Sequence, residues 1–519
     1  MELIKKNIHR NRQKGKTVTQ VTLDDDFIVP DTKEDIEALI LDSNEVELEE
    51  SRLMGSRLAV KGRLHFRILY HTQKNRSVDN IQGALSFEEF INMNDAAEDD
   101  EIRVDWEVED MTASVINSRK VNIKAVITLT ITTEELKGEE VAISVDSLEE
   151  VESASQYIEI AQIAVQTHDT YRIKEEVELS SNKPNISEIL WQRLEPRGIE
   201  CRPLDGKLSI HGEMELFCIY RGDEEHIPLQ WVERSIPFSG AVELSDCTDE
   251  MIPAITIRPV HRDVEAKADY DGENRLLSVE AVLELEIRLY EEERMSILSD
   301  IYCPGADVAL QNGSAHLERL VTRNASKYKM SDKLMLDGTE KILQICHADG
   351  SVKMDSVEPV ENGLAIEGTL CVDVLYVAAD DESPVRCIRG MLPFSYTVEA
   401  GGIGPEALYR VQPGLEQLSA MLLGSGELEV KAVIVLDCLV LEQQEIPTIL
   451  GVEMTPMDPE KLAAMPGIAG YVVQNGDTLW KIAKKFYASV DNIRELNEIS
   501  GDEPEPGQRL LIVKQTEKL

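Results

Sequence analysis

Side chains that could act as nucleophiles, bases or metal ligands are scattered along the sequence rather than grouped. The nine histidines occur singly, with no H-E-x-x-H motif, and the eight cysteines include no C-x-x-C pair. Residues 402–407 read G-x-G-x-x-A, but Pro405 and the lack of a βαβ pattern indicate a loop. We therefore expect a non-enzymatic protein with no catalytic residues, no metal site and no cofactor.

The best candidate for a binding residue is Trp480, near the end of the chain. It follows a G-D-T-L sequence at 476–479 and precedes the apolar residues Ile482 and Phe486. Two interpretations stay open. Trp480 is partly buried against those neighbours, since tryptophan is usually mostly buried, or it is exposed as the anchor for a protein partner.

The charge of the chain narrows the class of partner. It carries 53 basic and 97 acidic residues, a net charge of −44. This balance argues against nucleic-acid binding, because a polyanion gains affinity mainly from Lys and Arg. Residues 1–23 differ, with six basic side chains and one acidic. The basic segment at 5–16 is either a plain surface N-terminus or an arm that contacts a membrane or an acidic repeat.

Cysteine usage and hydropathy favour a cytoplasmic location. The first 200 residues contain no cysteine, so a disulfide scaffold is not expected. Residues 1–16 lack the apolar core of a signal peptide. No apolar run reaches the roughly 18 residues that a transmembrane helix needs, so we expect no transmembrane segment.

The elements that position any site come from an internal repeat. The segments at 57–70, 207–220 and 363–376 align without a gap, and their apolar residues fall on alternate positions, which predicts strands with one buried face. Each copy has a central glycine, expected to permit a bulge or bend, and a terminal tyrosine. These residues are Gly62, Gly212 and Gly368, and Tyr70, Tyr220 and Tyr376.

A second alternating segment follows in each copy, at 121–131, 276–287 and 428–438, and between the two lies a shorter run with a phenylalanine. Residues 30–40, 182–191 and 337–346 carry the capping and early-proline chemistry of a helix start. We therefore predict three tandem antiparallel β-rich domains, each a sandwich or partly closed barrel with one short helix. We place them at 1–150, 151–310 and 311–450.

The chain changes character after the third repeat. Residues 445–469 are proline-containing and have no sustained period, so they are interpreted as a tether, with the linker proper at 451–469. The segment at 470–514 predicts a strand, two short helices and a closing strand. Either Asp477 or Thr478 caps the first helix.

This last segment resembles a LysM domain, a small βααβ module. The resemblance is carried by Tyr471, Val473, Gly476-Asp477-Thr478-Leu479, Ile482-Ala483, Leu496-Asn497, Gly507, Leu510 and Ile512. LysM modules bind N-acetylglucosamine polymers such as peptidoglycan in a groove between two loops. The resemblance implies that contacts to a partner or a glycan come from Gly476, Asp477, Thr478, Leu479, Trp480, Asn497, Ile499 and Gly507.

The combination of acidic β repeats with one C-terminal LysM module resembles the SipL type of spore-coat morphogenetic protein, whose repeats are SPOCS domains. The cue is the PDTKEDIEALI segment followed by the xLxIxGxLxxxxLY strand. Proteins of this type link a polymerising coat ATPase to the forespore surface. The resemblance implies a mother-cell cytoplasmic adaptor at the forespore surface and spore coat, with the coat morphogenetic ATPase and other spore-coat proteins as partners.

Two other hypotheses stay open. The chain is a cell-wall-associated protein that binds peptidoglycan through its LysM groove, or it is an enzyme that acts on wall polymers. Carboxylates are so abundant that a pair of the kind used by glycosidases cannot be seen or dismissed from spacing alone.

Overall fold

The computed structural model describes residues 1–74, 77–93, 96–97, 100–223, 229–335, 341–380, 383–404, 407–424, 426–458, 460, 466–499, 501 and 503–513. Strands make up 79% of the described residues and helices 3%, which confirms the predicted mainly-β class. Within this part of the chain the strands form six three-stranded antiparallel sheets, two in each repeat, and a two-stranded sheet in the C-terminal module.

The first repeat contains two sheets, with strand orders β2-β3-β4 and β1-β6-β5. The six strands are β1 (Glu2–Ile28), β2 (Ile36–Met54), β3 (Arg57–Thr72), β4 (Val78–Asn92), β5 (Glu101–Asn117) and β6 (Lys120–Asp146). The inward-facing side chains of β3 and β6, including Leu64, Ile68, Ile123 and Ile127, form one buried cluster. Each repeat is therefore a sandwich, in which the alternating residues of the two central strands face one another.

The second and third repeats reproduce this arrangement. The second repeat contains β7 (Glu152–Glu178), β8 (Ile186–Leu204), β9 (Lys207–Gly222), β10 (Leu229–Glu243), β11 (Ile252–Ala268) and β12 (Asn274–Tyr302). The third contains β13 (Ala306–Met335), β14 (Ile342–Val360), β15 (Gly363–Ala378), β16 (Val385–Glu399), β17 (Ala407–Gly424) and β18 (Glu427–Pro456).

The central glycine of each repeat makes room for an aromatic ring. Gly62 pairs with Phe87 across β3 and β4, and a Cβ at Gly62 would lie 2.6 Å from the phenylalanine ring. Gly212 with Phe238 and Gly368 with Phe394 repeat the pair. The expected irregularity is present on the neighbouring strand, where the register of β2 shifts beside Gly62. The glycine therefore serves mainly a close side-chain approach.

The predicted short helix is wrong in the first two repeats, because a turn and a strand occupy its place. In the first repeat the Lys33 N–H donates to the Pro30 carbonyl at 2.9 Å, and β2 begins at Ile36. The Tyr70 hydroxyl donates to the Glu34 carbonyl at 2.9 Å. Arg119 donates to the carbonyls of Val29 and Lys33 and pairs with two aspartates of the turn.

The second repeat has the same turn. Tyr220 and Arg275 take the places of the first repeat's tyrosine and arginine, and β8 begins at Ile186. In the third repeat residues 337–340 lie outside the described residues, and β14 begins at Ile342. Proline and short polar residues suit turns as well as helix starts. In this chain, the pairing of β2 with β3 and of β8 with β9 favours the turn and strand over a helix.

The three repeats share a core where they meet. Leu69, Ile219 and Leu375 occupy equivalent positions of the three repeats and lie in one buried cluster. Two further equivalent sets belong to it, namely Ile40, Leu190 and Cys346, and Val78, Leu229 and Val385. We call this cluster the apolar junction. Because each repeat contributes the same positions, the repeats are related by approximate threefold symmetry.

The basic segment at 5–16 lies within β1 and pairs with β6. Lys5 forms an ion pair with Glu140 at 3.2 Å, and Lys14 pairs with Asp100 at 2.8 Å. Lys6 pairs with Glu293 of the second repeat. Of the alternatives that the sequence left open, contact with an acidic repeat is the one observed.

The expected tether begins later than predicted. Residues 445–456 belong to β18, where they pair with the first half of β13 across residues 306–316. Pro447 and Pro456 remain compatible with a strand that has only one neighbour at this point. Residues 459 and 461–465 lie outside the described residues.

The C-terminal module has the predicted βααβ order. Its elements are β19 (Ile468–Val472), α1 (Leu479–Phe486), α2 (Val490–Leu496) and β20 (Arg509–Val513). The two strands pair antiparallel, with Gly470 opposite Leu511. A small core that includes Leu479, Ile482, Ile493 and Leu510 lies between the sheet and the helices.

Candidate functional site

The loop that joins β19 to α1 is held in shape by its own side chains. The Asp477 carboxylate accepts hydrogen bonds from the Gln474 N–H and from the Tyr471 hydroxyl, each at 2.8 Å. These bonds lower the pKa of Asp477 and raise the pKa of Tyr471. Gly476 has a φ of +85°, a left-handed conformation that glycine adopts without strain. The loop is therefore preformed.

Helix α1 begins at the cap that the sequence predicted. Thr478 has extended backbone and accepts a hydrogen bond from the Lys481 N–H at 3.2 Å. The Lys481 ammonium donates to the Gly476 carbonyl at 3.0 Å. Leu479 is fully buried in the module core. The side chains of Thr478 and Leu479 were expected to line the groove, but they stabilise the fold of the module instead. The exposed part of this loop is centred on Gly476.

Asn497 connects the second helix to the closing strand. Its side-chain amide donates to the carbonyls of Ile493 and Leu511, each at 2.8 Å, and its Oδ1 accepts from the Leu511 N–H at 2.7 Å. Three hydrogen bonds occupy most of the capacity of one amide group. Asn497 therefore fixes the start of the second loop.

The second loop is brought beside the first by backbone pairing. The Gly507 N–H donates to the Val473 carbonyl, and the Val473 N–H donates to the Gln508 carbonyl, each at 2.9 Å. Gly507 is exposed and has a φ of +86°. Ile499 is partly buried against the module core. Of the residues expected in the groove, Gly476 and Gly507 are the two that are exposed.

Trp480 faces the body of the protein. Its Nε1–H donates to Asp300 Oδ2 at 2.9 Å, and its ring packs edge-on against Tyr302, with centroids 4.9 Å apart. Asp300 and Tyr302 lie at the end of β12, in the second repeat. Trp480 is partly buried, so an interaction of the kind expected of an anchor is made within this chain.

Three further contacts complete this docking interface. Lys484 pairs with Asp300 at 2.5 Å, and the Tyr487 hydroxyl donates to Asp307 at 2.8 Å. The Tyr302 hydroxyl donates to the Ala488 carbonyl at 2.8 Å, and burial raises the pKa of Tyr302. The interface fixes one side of the module against the second and third repeats.

Asp300, Tyr302 and Asp307, on the body side of this interface, were not predicted from the sequence. A signal was present in the repeats themselves. Tyr302 pairs with Glu152 at the position where the first repeat pairs Asp146 with Glu2. A buried tyrosine where the equivalent residue is an aspartate departs from the repeat pattern. Such a departure is expected where one repeat has acquired a contact of its own.

Comparison with family models explains both parts of the chain. The SPOCS domain of SipL matches three times, at residues 35–116, 185–268 and 341–423, and the LysM domain matches residues 471–513. The chain has the SipL architecture. Each SPOCS match covers the second to fifth strands of a repeat. The first and sixth strands of the repeat lie outside the match.

These domains indicate a sporulation-related protein with a LysM module. SPOCS and LysM are typically binding or scaffold domains, and LysM suggests a glycan-like ligand. YkzQ, an uncharacterized protein of Bacillus subtilis strain 168, is 48% identical over 42 residues, which is 8% of this chain and 56% of YkzQ. This chain thus spans little more than half of that relative. No solved structure matches the chain.

Within the part of the chain that the structure describes, no group of three or more His, Cys, Asp or Glu side chains is placed to hold a metal ion. No helix there combines the length and the apolar character needed to cross a membrane.

Proposed function

We propose that this SipL-type protein is a non-enzymatic adaptor of endospore coat assembly. Its SPOCS repeats form the scaffold, and its LysM module binds a coat morphogenetic ATPase at the forespore surface, on the mother-cell side. Other spore-coat proteins bind the repeats. The proposal combines the family with the way in which the LysM module is mounted on the repeats.

The observation that carries the proposal is an exposed apolar face on the module. Ile468 and Val472 of β19 and Leu511 of β20 point away from the module core and are 65%, 48% and 46% exposed. The opposite side of the sheet packs on the helices, and the helix side docks on Asp300 and Tyr302. Clustered apolar side chains on a fixed module suit a protein partner.

The proposed binding surface combines this face with the two loops. Gly476 and Gly507 are exposed and offer backbone groups at the edge of the module. Asp477, Thr478, Leu479, Asn497 and Ile499 hold the loops in place. Trp480 acts from the other side, because its contact with Asp300 sets the orientation in which the loops are presented.

A pull-down from sporulating cells tests the proposal. The full-length protein should capture a coat ATPase, and Val472→Asp should reduce that capture by about tenfold or more, as expected for loss of an apolar interface contact. Val18→Asp is the matched control, since Val18 is 56% exposed on β1, far along the chain from the module.

Equal loss of capture in Val472→Asp and Val18→Asp would remove the apolar face from the site. Absence of any coat ATPase from the captured proteins, with both variants folded by circular dichroism, would contradict the adaptor role itself. Reconstitution of the same complex from purified components would establish that the contact is direct.

Glycan binding is the second candidate, and the exposed loop residues Gly476 and Gly507 support it. The groups they would offer are the Gly476 N–H and the Gly507 carbonyl, because the Gly476 carbonyl and the Gly507 N–H are bonded within the module. Backbone amides in such a groove can bind the N-acetyl groups of a sugar polymer. Titration of the full-length protein with N-acetylglucosamine oligomers distinguishes the two. We expect little or no binding, because the accessible side chains include no aromatic platform in the loops. Saturable micromolar binding would make the wall-binding function the better one.

A further inference from the structure

A cavity of about 730 Å³ lies where the three repeats meet, and basic side chains dominate its lining. We call it the central basic cavity. Its charged lining residues are the cations Arg10, Arg12, Arg103, Lys137, Arg288 and Arg410 and the carboxylates Glu134 and Glu318. The lining therefore has six cations and two carboxylates, in a chain with a net charge of −44. The volume is that of a small-molecule site.

Carboxylates behind the lining hold most of these cations in position. Arg288 pairs with Glu286 at 2.8 Å, and Lys137 pairs with Glu139 at 2.7 Å. Arg12 has no ion-pair partner within the part of the chain that the structure describes. The cationic groups are therefore preorganised by the fold rather than collapsed onto one another.

Buried polar atoms in the lining lack protein partners. Arg10 is 7% exposed, and its Nε–H makes no hydrogen bond to any described residue. Both polar atoms of the Asn11 side chain are likewise buried and unpartnered. Leaving such groups unsatisfied is costly, so the unpartnered guanidinium N–H of Arg10 and the unpartnered amide of Asn11, both in the lining, indicate a binding position.

We propose that the central basic cavity binds a small multivalent oxyanion, one molecule per chain. Guanidinium groups recognise phosphate and carboxylate oxygens through paired hydrogen bonds, which is the chemistry that Arg10, Arg12 and Arg288 present. Because β1, β12 and β17 belong to different repeats, the occupant contacts all three. It therefore fastens the repeats to one another, independently of the LysM module.

Isothermal titration of the full-length protein with pyrophosphate, inorganic phosphate and citrate tests this site. At least one of them should bind saturably with a stoichiometry of one. Tighter binding of pyrophosphate identifies phosphate chemistry, and tighter binding of citrate identifies carboxylate chemistry. Thermal unfolding should shift upward with the same ligand, since it binds only the folded chain.

Two variants assign the binding to the cavity. Asn11→Asp adds a negative charge at constant shape, and Arg12→Gln removes the cation without an ion-pair partner. Each should weaken the affinity by about tenfold or more. Lys174→Gln is the matched control, because Lys174 is an exposed lysine on β7, and it should change the affinity by less than about twofold.

The proposal is overturned if none of the three anions binds saturably at millimolar concentration. It is equally overturned if binding occurs but Asn11→Asp and Arg12→Gln, both folded by circular dichroism, bind as tightly as the Lys174→Gln control.

Discussion

Two contacts between the SPOCS repeats are built in opposite ways. At the apolar junction, equivalent residues of the three repeats, Leu69, Ile219 and Leu375, pack together. At the central basic cavity the three repeats contribute different residues. Arg288 of the second repeat forms ion pairs with Glu134 of the first repeat and Glu286 of the second. The positions equivalent to Arg288 hold Thr132 and Leu439.

The difference shows what each contact requires. Apolar packing is satisfied by any well-fitting side chain, so three copies of one surface can meet around an axis without change. Buried charges need specific partners at specific distances, so identical charges from three repeats would repel one another. The polar contact is therefore the place where the repeats have become distinct, and where a specialised function is expected.

The largest expected effect comes from removing the cation at the polar contact. Arg288→Met leaves Glu134 buried without its cation and leaves Glu286 with only the longer pairs to Arg103 and Arg410. We expect the free energy of unfolding to fall by about 3–5 kcal/mol. Chemical denaturation of the full-length protein measures this loss. Combining Arg288→Met with Glu134→Gln and Glu286→Gln should restore most of it. A single variant as stable as the wild type would show that the polar contact does not hold the repeats together.

The matched change at the apolar junction is Leu69→Ala. It removes apolar contacts and leaves a cavity, and it should cost about 2–5 kcal/mol. Unlike the loss at Arg288, this loss should be independent of pH and salt, because no charge is left unpaired. A salt-dependent loss in Leu69→Ala would contradict the assignment of this junction as purely apolar.

A pH titration sharpens the same comparison. Burial raises the pKa of Glu318 from 4.5 to about 7, with Arg10 opposing the shift and Glu134 adding to it. Between about pH 4.5 and pH 7 the unfolded chain loses this proton before the folded chain does. The stability that the protonated carboxyl contributes at low pH is therefore lost as the pH rises through this window, by about 3 kcal/mol.

Glu318→Gln keeps the group neutral at all pH values, so the fall between pH 4.5 and pH 7 should be smaller in that variant than in the wild type. Thermal unfolding at a series of pH values gives both curves. Parallel curves for the two proteins would show that Glu318 does not titrate in this range.

The docking interface of the LysM module provides the smallest test. Tyr302→Phe removes the hydroxyl that donates to the Ala488 carbonyl and leaves the ring against Trp480. We expect a loss of about 1 kcal/mol in the free energy of docking. Faster limited proteolysis of the segment that precedes β19 would report it. Asp300→Asn is a useful companion, since it keeps the shape but weakens the pair with Lys484.

Several features of the fold were accessible from the repeat pattern, and one signal was overlooked. Alternation predicted the strands and their buried faces, and in all three copies a phenylalanine follows the central glycine after 25 or 26 residues. The end of β3 breaks the alternation with three consecutive apolar residues, Ile68, Leu69 and Tyr70. Such a run indicates burial on both faces. Leu69 of this run belongs to the apolar junction, which was not predicted from the sequence.

The candidate site was predicted less completely, for a different reason. The LysM motif located the loops and offered Asp477 and Thr478 as alternative caps, of which Thr478 is the one observed. It did not distinguish side chains that face a ligand from those that hold the loops, because residues of both kinds belong to the same motif. The partner of Trp480 lies 180 residues away along the chain, at Asp300. Local spacing carries no information about such a contact.

By itself the sequence determined the strand period, the threefold repetition, the acidic character and the LysM module. These properties can be identified from residues that are close together in the sequence, because hydrophobic period, helix caps and turn chemistry act within a few positions of the chain. Only the tertiary structure decided that a turn at residues 30–35 leads into a strand that begins at Ile36. It also decided that Trp480 faces the second repeat, and that one cavity is lined by Arg10, Arg288 and Arg410. Those outcomes depend on pairing and burial between distant segments, and the free energy of a buried charge or a docked ring depends on which partner the fold brings to it.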